Sequence, residues 1–153
     1  IDSNFYREIE WPIIVMLAAM IHIGTALQTT GLSDFIAISI SQYAADLGLF
    51  WILFTILIVT MATTDIINNA ATAVIMAPIS TGIAIELGYA IEPFLMVVAV
   101  GASCAFLTPI GHQCNTVVMG PGNYKFTDYW RMGLPMDILI IIVSIPMILF
   151  VWT

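Results

Sequence analysis

Two adjacent asparagines, Asn68 and Asn69, sit between the apolar runs 49–61 and 73–85. An unbonded carboxamide in such surroundings costs about 1–3 kcal/mol, so the pair constrains how the chain on either side can be arranged. Asn is also a preferred helix N-cap. The stretch 66–72 therefore reads as a break, with one helix ending near Ile67 and another beginning near Ala70. Inside a bilayer, a broken helix is tolerated only within protein or against a water-filled cavity.

Composition makes the bilayer the relevant solvent. The chain is 61% hydrophobic and 8% charged, against about 25% charged residues in soluble domains. Its apolar runs have helical lengths, so the expected fold is an all-α polytopic membrane protein of the cell membrane. The net charge is -7, and Arg7, Lys125 and Arg131 are the only basic residues, which excludes a nucleic-acid surface. Cys104 and Cys114 lie among small or apolar neighbours and have no metal-ligand spacing. No His-Glu-x-x-His or Gly-x-Ser-x-Gly motif is present, and Asp65 has no evident acid–base partner, so neither an enzyme nor an organic cofactor is expected. The chain opens on a polar stretch with no signal-peptide pattern and reads as a piece of a longer polypeptide.

The order of elements follows from the runs. Residues 11–29 are long enough to cross, with Trp11 and Pro12 at an interfacial start. Residues 32–47 carry apolar positions at helical spacing with Asp34, Ser41, Gln42 and Asp46 between them, the pattern of an arm lying along the membrane surface. Residues 49–87 form either two full crossings or a re-entrant hairpin with its tip at 66–70. Asp65, expensive against lipid, must face protein or water. Residues 94–119 form a broken transmembrane helix interrupted at 109–115, and 134–152 form a final span with Pro135 in its first turn. The three cations fall on one side by parity, which the positive-inside rule makes cytoplasmic. His22, within the first run, reads as a helix-facing side chain rather than a ligand.

Two breaks at membrane depth have a chemistry. Helix C-termini, expected at 66–67 and 107–108, present free carbonyls. Helix N-termini, expected at 70–71 and 116–117, present amides worth roughly half a positive charge each. Carbonyls replace water around a hard cation and N-termini favour anions, so paired breaks offer adjoining cation and anion sites. Asn68, Asn69 and Asn115 add carboxamides, and Thr64 lies one turn before Asn68.

The stretch 102–118, Ala-Ser-Cys-Ala-Phe-Leu-Thr-Pro-Ile-Gly-His-Gln-Cys-Asn-Thr-Val-Val, resembles the signature of the divalent anion–sodium symporter family at every specified position. That pattern is small, Ser, two of any kind, Phe, two of any kind, Pro, aliphatic, small, three of any kind, Asn, any, aliphatic, Val. Asn68-Asn69-Ala70-Ala71-Thr72 resembles the family's Ser-Asn-Thr hairpin tip. The resemblance covers nearly the whole chain, as the second half of the second inverted repeat of the ion transporter superfamily. It implies a re-entrant hairpin at 49–87, an elevator motion, a homodimer, and a partner repeat N-terminal to this segment in the same polypeptide. It also implies sodium-coupled symport of a small divalent anion such as sulfate or a dicarboxylate. By the same resemblance, sodium falls to Thr64, Asn68, Asn69, Gly111 and His112. The substrate falls to Asn69 and Ala70, with Asn115 and Thr116 at the second break. Three departures stand out: Asn68 replaces the tip Ser, Ala70 replaces the tip Thr, and His112-Gln113-Cys114 replaces Thr-Pro-Pro. The loss of the tip Thr at Ala70 weighs against a C4-dicarboxylate, and the variants together resemble the permease branch with regulatory cytosolic domains. The competing reading is a cation/proton antiporter or arsenite-type permease of the same superfamily.

Overall fold

A computed structural model describes residues 29–44 and 47–152, together with Val15, Ala18, Ala19, His22, Thr25 and Ala26 of the first apolar run. These positions of the first run are helical; the rest of the 11–29 span, Arg7 and Asp46 lie outside the described residues. Six further helices follow: α1 (Leu32–Ala44), α2 (Leu49–Thr64), α3 (Asn69–Leu87), α4 (Ile91–Ala102), α5 (Gln113–Met119) and α6 (Phe126–Trp152). All regular structure among the described residues is helical. Helices α3 and α6 are long and apolar enough to cross a membrane.

Helix α4 is the centre of the packing. It lies against α2, α3 and α6, while α1 rests on α3. Its Phe94, Val97 and Val98 are buried with Leu53, Ile56 and Leu57 of α2, Ile79 and Ile83 of α3, and Ile145 and Ile148 of α6. Small residues permit the closest approaches. A Cβ on Gly101 would stand 2.9 Å from Thr60 Cβ, and one on Gly82 would stand 2.9 Å from Ala37 Cβ. Small residues at helix contacts are the usual means of packing where lipid is as apolar as the side chains. The far face of α6, with Ile138, Leu139, Ile142, Val143, Met147 and Phe150, remains exposed, as a lipid-facing surface would be.

Helices α2 and α3 pack on each other and are joined by a turn at 65–68, a helical hairpin. The turn begins a residue earlier than the 66–70 tip read from sequence, because Asn69 and Ala70 already belong to α3. Asn68 is the N-cap: its Oδ1 accepts the Ala71 N–H at 2.8 Å. The helix runs through Pro78 and stops at Gly88, whose φ of 73° is the left-handed cap conformation glycine takes without strain.

Two further differences from the sequence reading are larger; a smaller one is that α4 begins at Ile91 rather than at 94. The break expected at 109–115 lies at 103–112: α4 ends at Ala102, and α5 begins at Gln113 rather than at Thr116. The physical reason is tertiary. The Thr64 hydroxyl donates to the Ala102 carbonyl at 2.9 Å, satisfying an oxygen that another helical turn would otherwise have bonded. The second difference is at α6, which begins at Phe126 rather than near 134. Asp128 Oδ2 accepts the Lys125 N–H at 2.8 Å, a side chain reaching back to the residue before the helix as in a capping box. Pro135 consequently lies in the helix interior, not in its first turn.

Candidate functional site: where the two breaks meet

The turn after α2 and the break after α4 are hydrogen-bonded to each other. Asp65 is the main connector. Its Oδ1 accepts the Leu107 N–H at 3.1 Å, and its backbone carbonyl accepts the Thr108 hydroxyl at 2.6 Å. Thr108 Oγ1 in turn accepts the Gly111 N–H at 3.2 Å. Of the two surroundings expected for Asp65, protein or water, it faces protein, at 5% exposed. Its second oxygen, Oδ2, is buried without a hydrogen-bond partner among the described residues, as are Asp137 Oδ1 and Thr72 Oγ1.

Gly111 lies where no side chain fits. A Cβ there would stand 2.6 Å from the Thr64 carbonyl, 2.8 Å from Ala105 Cβ and 3.1 Å from Asp65 Cα. Backbone meets backbone, and this brings the Gly111 carbonyl to the Asn69 side chain. Around that carboxamide stand three oxygens: Thr64 Oγ1 at 2.9 Å and the carbonyls of Ala102 and Gly111, each at 3.2 Å. The Thr64 proton is directed at the Ala102 carbonyl. The carboxamide nitrogen has two N–H bonds, enough for Thr64 Oγ1 and the Gly111 carbonyl while Thr64 serves Ala102; its oxygen in that place could accept only from the Thr64 hydroxyl, at 2.9 Å. With the oxygen turned inward, the same group would complete a set of four oxygens, the ligand type that a hard cation takes.

The remaining site candidates are placed as follows. Asn68 is half-buried, with its side chain committed to the cap of α3. His112 is exposed, and its Nδ1 accepts the Cys114 N–H at 3.2 Å as the N-cap of α5. Ala70 is half-buried in the first turn of α3. Asn115 turns toward its own break: its Nδ2 donates to the Ala105 carbonyl at 2.8 Å and to the Thr108 carbonyl at 3.2 Å. The Thr116 hydroxyl donates to the Pro109 carbonyl at 2.6 Å, and Tyr129 OH donates to the Asn115 carbonyl at 2.7 Å. Thus Thr64, Asn69 and Gly111 converge, whereas Asn68, His112, Asn115 and Thr116 hold the breaks in shape. Sequence reasoning missed the Ala102 carbonyl, which carries no side-chain signal, and Thr108, which resembles any other polar residue ahead of a proline.

A core helix packed against a polar-tipped hairpin, followed by a second helix break closed onto that tip, with two helices long and apolar enough to cross a membrane, defines the class as an all-helical membrane protein. The family model for the citrate transporter, CitMHS, matches residues 5–153, and the chain belongs to that family. It is 37% identical over 95% of its length to an uncharacterized transporter, YfbS, of Escherichia coli, and 34% identical over 98% to the uncharacterized transporter sll0640 of Synechocystis. It is also 29% identical over 90% of its length to the sodium/sulfate cotransporter 2 of Chlamydomonas reinhardtii, covering 16% of that protein. The chain spans 24% of the length of each of the two bacterial relatives.

Proposed function

We propose that this segment supplies one half of the ion and substrate site of a sodium-coupled symporter for small divalent anions, with sulfate as the first candidate. The observation that carries the proposal is the convergence of Thr64 Oγ1 and the Ala102 and Gly111 carbonyls on the Asn69 carboxamide. Sodium bound there would be met by oxygen from both breaks, so its arrival would tie the hairpin turn to the interrupted helix. In its absence, the two carboxamide N–H bonds can serve Thr64 Oγ1 and the Gly111 carbonyl, while the Thr64 hydroxyl serves the Ala102 carbonyl. The amide thus has one orientation for each state, and no buried group is stranded in either. The anion would lie beside this seat, toward the N-terminal turn of α3 at Asn69 and Ala70, where aligned amides favour negative charge. The neighbouring cation offsets the cost of holding that charge away from water.

The name of the Chlamydomonas sodium/sulfate relative supports the choice of ion and anion class. The re-entrant course of 49–87, the elevator motion, the homodimer and the pairing with a preceding repeat belong to the same proposal. The test is a panel of radiolabelled sulfate, succinate and phosphate uptake by the complete transporter, each with and without sodium. Saturable sulfate uptake that requires sodium supports the proposal. Cation–proton exchange indifferent to all three anions would replace it with the antiporter reading.

A further inference from the structure

We infer that Thr108 is a positioning residue for the cation seat: its hydroxyl sets the direction of the Gly111 carbonyl by joining Gly111 to the turn after α2. The inference rests on the seat proposed above. One oxygen atom carries both links, donating to the Asp65 carbonyl at 2.6 Å and accepting the Gly111 N–H at 3.2 Å. Gly111 has no side chain of its own to fix its backbone, and glycine has the widest choice of φ and ψ. Its carbonyl belongs to the next peptide plane, so its direction is set only when the amide is held on one side and His112 on the other. On the following side, His112 enters α5 with its ring on the Cys114 N–H, so the glycine is held from both directions.

The break does not depend on Thr108 for its integrity. Asp65 Oδ1 still holds the Leu107 N–H, and Asn115 Nδ2 still holds the Ala105 and Thr108 carbonyls. Loss of the hydroxyl should consequently loosen the ligand and leave the fold in place. In the family signature this position is open to any residue, so the signature assigns it no role.

The experiment is sodium activation of anion uptake by the complete transporter in proteoliposomes, comparing wild type with Thr108→Val and Thr108→Ser. Thr108→Val keeps the shape and removes the hydroxyl. It should raise half-saturating sodium by about three- to tenfold, the factor one hydrogen bond supplies. The maximal rate and the anion half-saturation at saturating sodium should stay at wild-type values. Thr108→Ser should restore the wild-type sodium curve. Unchanged sodium dependence in Thr108→Val overturns the inference, as does an equal loss of maximal rate in both variants with the sodium curve unmoved. If Thr108→Val does not reach the membrane folded, Thr108→Cys replaces it: a smaller rise in half-saturating sodium is expected, and none overturns the inference. Wild-type uptake that ignores sodium removes the cation seat itself, whereas a sodium-dependent wild type with an indifferent Thr108→Val removes only the role of Thr108.

Discussion

Asn69 and Gly111 carry the heaviest demands in the site, for different reasons. Asn69 reaches oxygens on both sides of the junction. Asn69→Ala in the complete transporter is expected to cut sodium-dependent uptake at least about fivefold while leaving the protein folded. The loss corresponds to roughly 1–3 kcal/mol for a buried group left without its partner; uptake rates with surface-expression controls check it. Unchanged transport would reduce Asn69 to a helix-end residue. Gly111→Ala asks a different question. Its new methyl would stand 2.6 Å from the Thr64 carbonyl, and the obstacle is backbone rather than a pliable side-chain end. The variant should separate the two breaks and lower both uptake and melting temperature, read by uptake and thermal unfolding of the purified protein. Asn69 was legible from sequence because a carboxamide amid hydrocarbon must have a reason. The need for glycine at 111 was legible only through the family pattern, since the tightest crowding comes from Thr64, in a segment more than forty residues away, with Ala105 adding a nearer contact.

At the scale of elements, helix existence was plain and helix ends were not. Apolar runs locate α2, α3, α4 and α6 because only long apolar helices suit such composition. The α3 start at Asn69 follows from a local signal, the Asn68 cap. The α4 end at Ala102 follows from a tertiary one, the Thr64 hydroxyl. Replacing Thr64 by Val should therefore disturb α4 as well as the cation seat. Hydrogen exchange of the 99–104 amides in the variant, faster than in wild type with α3 unaffected, is the expected outcome. The α2–α4 contact offers a second test. Gly101→Ile places a branched side chain where a Cβ already meets Thr60 at 2.9 Å and Leu57 Cδ1 at 3.2 Å. Overpacking of this kind costs about 1–3 kcal/mol, and a lowered thermal midpoint should report it.

For the whole molecule, the proposal places only half of an ion site here, so the 153-residue segment reconstituted alone is expected to accumulate no sulfate, with or without a sodium gradient. Uptake by the segment alone would show that it needs no second repeat. The sequence by itself determined the solvent, the helical class and the two polar interruptions, because lipid permits few structures and an unbonded polar group in hydrocarbon is costly. It also carried the family, through residues spaced within one stretch of chain. Only the tertiary structure decided which interruption atoms meet. Asp65 bonds Leu107 and Thr108, Thr64 bonds Ala102, and Asn69 faces Gly111, whereas Asn115 turns back on its own loop. The physical reason is that half of these partners are backbone carbonyls and amides, present at nearly every residue and selected only when packing brings two segments together.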